Sequence, residues 1–166
     1  MKHMEGATAP RMLVTYFSAT GTTRAVAERL AKAIGADLRE IEPAKPYSDA
    51  DLDWRDTDSR SSVEHRNRGM RPMMKEPIDV SGYDVVFVGY PLWWETAPRV
   101  VRTFLEGVDW TGRSLVTFAT SGSSVRGADG VQLHDSAPKA DWYDGRRFAA
   151  SVSERELADW VVSLAL

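Results

Sequence analysis

Apolar positions along this chain alternate between two periods. Residues 12–17, Met-Leu-Val-Thr-Tyr-Phe, form a short, mostly apolar run between turn residues, which predicts a buried strand over 11–17. Val26, Leu30, Ala33 and Ile34 then recur at helical spacing, with Thr22 or Thr23 as the expected cap and Gly35 as the expected stop. Residues 37–41 alternate and predict a second strand. Residues 83–90 contain the clearest run, Val85-Val86-Phe87-Val88, which predicts a strand buried on both faces. Pro98 suits the first position of a helix whose apolar face is Val100, Val101, Phe104 and Leu105, ending at Gly107. A fourth strand is expected at 114–119 and a short fifth at 146–150. Ser153 and Glu156 form a capping box ahead of Leu157, Trp160, Val161 and Leu164.

Between the second and third strands the texture changes. Residues 42–77 are charged and carry Pro43, Pro46, Pro72 and Pro77, so they read as an irregular excursion with one helix near 58–68. Elsewhere strands and helices alternate. That order predicts an α/β fold of three layers, a doubly wound parallel sheet of five strands with helices on both faces. In such sheets ligands lie beyond the carboxyl ends of the strands.

At 166 residues the chain is long enough for one domain, expected over 11–166. Residues 1–10 read as a flexible N-terminus or a cloning remnant. The net charge of −3 and the lack of a basic block argue against a nucleic-acid partner. No apolar run reaches the roughly 20 residues of a membrane helix. The chain has no cysteine, which removes disulfides and thiolate chemistry and fits a cytoplasmic location. His3, His65 and His134 lack the spacing of a metal site, and none is expected. Asp49, Asp51 and Asp53 imitate a calcium loop, but Trp54 stands where its glycine belongs and Arg60 where its glutamate belongs. Ser123, His134 and Asp135 offer triad residue types without a nucleophile elbow, so no catalytic side chain is assigned.

Three predicted strands end in chemically distinctive loops. The first is Ser18-Ala19-Thr20-Gly21-Thr22-Thr23, a hydroxyl-rich turn at a helix start. Helix N-termini expose N–H groups and attract anions, and Ser18, Thr20, Thr22 and Thr23 add donors around Gly21. The second is Pro91-Leu92-Trp93-Trp94, and the third is Thr120-Ser121-Gly122-Ser123-Ser124. Each alone reads equally well as an ordinary turn, core tryptophan or loop. Parallel strands would bring all three to one sheet edge, as a phosphate cradle, an aromatic wall and a flexible polar side. A phosphorylated ligand with a flat ring fits that set, and flavin mononucleotide (FMN) is the leading case. On extended backbone the two tryptophans would point opposite ways.

With these loops the chain resembles the flavodoxin family, and more narrowly the members with a Pro-x-Trp-Trp second loop and a Thr-Ser-Gly third loop. The matches are residues 16–23, then 89–94 with Ala97-Pro98, then 118–124, with weaker support from Ile41-Glu42-Pro43, Pro46-Tyr47 and Arg71-Pro72. The resemblance implies strand order 2-1-3-4-5 and noncovalent FMN, with its phosphate on residues 18–23 and its ring between the second and third loops. It implies electron transfer with redox partner proteins or a small-molecule donor or acceptor, by a monomer or weak dimer. An FMN-dependent NAD(P)H oxidoreductase of quinone- or flavin-reductase type is the alternative, and a non-redox binding module a third. Arg126, Arg146 and Arg147 are the candidates for a nucleotide's phosphates. Two positions depart from the pattern. Glu95 and Val125 stand where many relatives have glycine, which puts in doubt a peptide flip after Trp94.

Overall fold

The computed structural model describes residues 9–166, so the reading of residues 1–8 lies outside the described residues. Five strands form one parallel sheet: β1 (Met12–Tyr16), β2 (Asp37–Glu40), β3 (Val85–Pro91), β4 (Ser114–Thr120) and β5 (Asp141–Phe148). Their order is β2-β1-β3-β4-β5, as expected. Four helices complete the fold: α1 (Thr22–Ile34), α2 (Arg60–Arg66), α3 (Arg99–Glu106) and α4 (Glu154–Ser163).

The largely apolar runs in β1, β3 and β4 follow from burial on both faces, with Thr15 and Thr117 buried among them. On one face Val14, Tyr16, Phe87, Val116 and Phe118 pack with Val26 and Leu30 of α1 and Leu157 and Trp160 of α4. On the other, Leu13, Val86, Val88, Tyr90 and Leu115 pack with Val100, Val101, Phe104 and Leu105 of α3. Gly89 is required between these layers, because a Cβ there would lie 2.2 Å from the Phe118 ring.

Several expected boundaries move. The N-cap of α1 is Gly21 (φ 99°), neither threonine. Thr22 and Thr23 already lie inside the helix, and the Thr23 hydroxyl pairs with Thr120 Oγ1 at 2.7 Å. Pro98 is the N-cap of α3 rather than its first residue, so the helix starts at Arg99, one residue later than expected. Gly35 does end α1 in the left-handed region (φ 66°), and Ser153 Oγ accepts from the Glu156 amide at 3.1 Å as the capping box requires. The fifth strand spans Asp141–Phe148, starting earlier than the expected 146–150. It is an edge strand with a mostly exposed or half-buried face, so its sequence shows no apolar run.

The excursion over 42–77 is closed at its base. Pro43 and Met74 form an antiparallel bridge, and the Ala44 and Lys75 amides donate to Met73 O and Glu42 O at 2.7 and 2.8 Å. Its helix α2 is shorter than the expected 58–68 and is capped by Ser59. The three aspartates of the calcium-like stretch serve turns, with Ser48 and Asp51 exchanging side chain-to-amide bonds of 3.0 and 3.1 Å. Among the described residues no group of acidic, histidine or cysteine side chains could hold a metal, and no helix is long and apolar enough to cross a membrane.

Candidate functional site

Parallel pairing of β1, β3 and β4 puts the three distinctive loops at one edge of the sheet. Two bonds tie them. Thr23 Oγ1 meets Thr120 Oγ1 at 2.7 Å, joining the first loop to the third. The Leu92 amide donates to Thr120 O at 3.1 Å, joining the second to the third.

In the first loop Thr20, Gly21 and Thr22 are exposed, while Ser18 is half-buried and Thr23 buried. The Gly21 amide donates to Ser18 Oγ at 3.1 Å. The N-terminus of α1 has no side-chain cap and no acidic residue in its first turn. Its partial positive charge is therefore offered to a ligand rather than consumed by the protein. Ser18 shapes the loop and Thr23 anchors it, leaving Thr20 and Thr22 as the free hydroxyls.

The second loop is not extended. Trp93 and Thr96 exchange backbone bonds of 2.9 and 3.1 Å, and between them Trp94 (φ 50°) and Glu95 (φ 65°) both lie in the left-handed region. Positive φ at both central residues is the pattern of a type I′ turn. Neither residue is glycine, so the turn stores backbone strain beside the sheet edge. Glu95 holds its conformation under constraint. Gly127 (φ 91°) of the third segment presses on it so closely that a Cβ would lie 2.0 Å from Glu95 O.

The turn sends the two tryptophans to different neighbours. Trp93 is half-buried, edge-on to Phe17 and Tyr47 with centroids 5.7 and 5.5 Å away, and those two rings also meet at 5.6 Å. Trp94 is 40% exposed and stacks on His65 of α2, with centroids 4.6 Å apart and planes 17° apart. Both line a cavity of about 260 Å³ with Leu52, Trp54, Ser61 and Leu92. Ser61 Oγ is buried there with no hydrogen-bond partner among the described residues.

The excursion thus supplies half of the aromatic wall, which sequence reasoning left without a role. Tyr47 is held by its hydroxyl bond to Glu64 and by the Arg60 guanidinium 3.8 Å over its ring. Arg60 Nε also donates to Glu64 Oε2 at 2.9 Å. Burial and the Glu64 carboxylate raise the Tyr47 pKa well above that of a free phenol, so the ring stays neutral. Arg99, buried at the start of α3, donates to Glu64 O and His65 O at 3.2 and 2.7 Å. Burial and the charges of Arg99 and Arg68 lower the His65 pKa. The sequence signals for these parts were slight: an aromatic Pro46-Tyr47 pair in a polar stretch, and an arginine where a helix starts.

Thr120 is buried and Ser121 half-buried, whereas Gly122, Ser123, Ser124 and Val125 are exposed. Arg147 braces this loop by donating to Ser121 O at 2.7 Å and to Gly122 O. Arg126 faces Glu95 at 3.8 Å, and Arg146 faces Glu156 at 3.8 Å. Behind the loop, the Tyr90 hydroxyl donates to Gly127 O at 2.8 Å, and burial raises its pKa. His134 packs on Trp142 and Asp135 pairs with Arg102, so each of these two is engaged with a residue other than Ser123.

A doubly wound sheet in this order, with an uncapped helix N-terminus and an aromatic turn side by side at its carboxyl edge, is the flavodoxin-like arrangement of the α/β class. The chain belongs to the flavodoxin family, whose model matches residues 11–164. It is similar to a solved protein classed among the flavoproteins from Bacteroides eggerthii DSM 20697, at 45% identity and TM-score 0.89, covering 95% of this chain and 99% of that one. A second such protein, from Bacteroides uniformis ATCC 8492, is 39% identical with TM-score 0.86, covering 93% and 99%. A flavoprotein from Lactobacillus acidophilus NCFM, solved in complex with FMN, shares the fold at 20% identity and TM-score 0.65, covering 92% and 99%. No curated protein matches the chain.

Proposed function

We propose that this protein binds FMN noncovalently and transfers electrons through it, as a cytoplasmic flavodoxin-like carrier. One observation carries the reading: the uncapped N-terminus of α1, flanked by the exposed Thr20 and Thr22, shares a sheet edge with the aromatic turn at Trp93–Thr96. The donor set is neutral and free of carboxylates, which suits a terminal phosphate dianion. When bound, FMN supplies the electron-accepting group.

The remaining work falls to this chain's own residues. Thr20 and Thr22 bind the phosphate together with first-turn amides. Trp94, the more exposed indole of the pair, offers apolar area to a ring. Trp93, Phe17 and Tyr47 hold the turn from behind and exclude water. Glu95 places a carboxylate at the turn, where Arg126 at 3.8 Å partly offsets the charge it would present to a bound ring. No side chain is assigned an acid, base or nucleophilic role. The expected phosphate arginines do not favour the reductase alternative, since Arg126 and Arg146 face carboxylates and Arg147 braces the third loop.

The purified protein should be yellow or take up FMN with a bound-flavin spectrum. Thr20→Ala should weaken FMN much more than riboflavin. A colourless protein that cannot be loaded would overturn the reading, as would equal weakening of the two flavins. Anaerobic mixing of the loaded protein with NADH or NADPH separates carrier from reductase, because rapid bleaching contradicts the carrier.

A further inference from the structure

A cleft of about 850 Å³ opens beside the aromatic turn, with Trp94 and Thr96 in its wall. Its other walls come from the end of α2, the excursion, α3 and the segment carrying Gln132 and Asp135. They bring Arg66, Arg68, Arg71, Arg99 and Arg102 to one cavity. Two of these guanidiniums are matched by carboxylates. Arg71 grips Glu106 with bonds of 2.8 and 3.1 Å, and Arg102 meets Asp135 at 2.7 Å. Arg66 and Arg99 donate to backbone carbonyls, and neither they nor Arg68 has a carboxylate partner among the described residues. Three positive charges without carboxylate partners thus share one concavity on a chain whose net charge is −3. Concave basic walls concentrate field and attract multivalent anions.

Arg99 makes this more than a solvated surface. It is 7% exposed, and its bonds to Glu64 O and His65 O hold it in the cleft wall. The pKa of Arg99 is lowered by burial and by the charges of Arg102, Arg71 and Arg68, the mark of an unneutralised positive site. Beside it, the stacked Trp94 and His65 offer a flat, partly exposed aromatic patch. Guanidinium clusters bind phosphate oxygens bidentately, and indoles stack on bases. The volume lies in the range of small-molecule sites.

We propose that this cleft binds a nucleotide carrying two or more phosphate charges, with the phosphates on Arg66, Arg68 and Arg99 and the base against Trp94. The site is distinct from the α1 N-terminus. The proposal concerns binding alone; Trp94, one face of which is stacked on His65, is the single side chain it shares with the flavin reading, so nucleotide binding is measured with and without FMN. The nucleotide could be a pyridine dinucleotide or an adenine nucleotide, which share this chemistry.

Calorimetric titrations of the protein as isolated, and again after loading with FMN, test it with NADP⁺, NAD⁺, ADP and inorganic pyrophosphate at low salt. At least one nucleotide should bind saturably, and more tightly than pyrophosphate. The double charge reversal Arg66→Glu, Arg68→Glu removes two exposed phosphate donors and should weaken it at least about tenfold. Lys32→Glu on α1, outside the cleft, should change nothing. The imidazole signal of His65, followed by NMR, should titrate at higher pH once a nucleotide is bound, because the anion offsets the nearby arginines. No saturable nucleotide binding, pyrophosphate as tight as the nucleotides, or binding indifferent to the double reversal would overturn the proposal. The relative strengths of NADP⁺ and ADP identify the source. Flavin loading is read separately from absorbance, so failure of one site is not mistaken for failure of the other.

Discussion

Replacing Glu95 by glycine should stabilise this protein relative to Glu95→Ala. Glu95 sits at φ 65°, where any side chain brings Cβ close to the following carbonyl. That conflict costs about 1–2 kcal/mol in an L-residue. Glycine removes it but loses about 0.4–1 kcal/mol through its freer unfolded chain. The difference left between the two variants is about 0–1.6 kcal/mol, with a mid-range of about 0.8 kcal/mol. For a chain of this size the mid-range corresponds to about 2–3 °C in melting temperature. The Glu95–Arg126 contact does not disturb the comparison, since both variants lack it and its side chains are 55% and 80% exposed at 3.8 Å. The assay is urea and thermal denaturation followed by circular dichroism, with and without FMN. If Glu95→Ala equals or exceeds Glu95→Gly in stability, the strained turn is not a property of the folded protein, and the account of the second loop fails.

Gly127→Ala should be severe, because its Cβ would lie 2.0 Å from Glu95 O at a φ of 91°; we expect a loss of at least about 2 kcal/mol by denaturant titration, together with weaker FMN binding. Trp93→Ala should cost about 2–4 kcal/mol by opening the cluster with Phe17 and Tyr47, whereas Trp94→Ala should cost less and shift the flavin potential more. The reverse ranking would show that Trp93 is the ring contact. The His65 pKa is lowered from 6.5 in the folded state, so the unfolded chain takes up protons first as pH falls. Stability should therefore decline as pH drops below about 6.5 toward the lower folded value, and His65→Gln should remove part of that decline in urea midpoints measured across the window.

The resemblance in the first subsection rested on three loops, and the structure brings all three to one sheet edge. This was readable because β1, β3 and β4 are buried on both faces, so each writes a mostly apolar run, interrupted in β1 and β4 by buried threonines, that ends close to its loop. The fifth strand was only half readable. An edge strand such as Asp141–Phe148 has its polar face in water and leaves no such run.

Local sequence therefore determined the layer order, the helix stop at Gly35, the cap at Ser153 and the anion-ready start of α1. Tertiary structure alone decided what those local features mean together. It drew the Thr23 hydroxyl to Thr120 and left the cap to Gly21. It pressed Gly127 against Glu95, holding a turn that Trp94 and Glu95 would not choose by themselves. It folded a polar excursion back so that Tyr47 meets Trp93 and His65 meets Trp94. It also gathered the arginines of α2, the excursion and α3 into one cleft. Strand burial is encoded by nearest neighbours along the chain. These contacts join residues tens of positions apart, and their energies exist only once the sheet has brought them together.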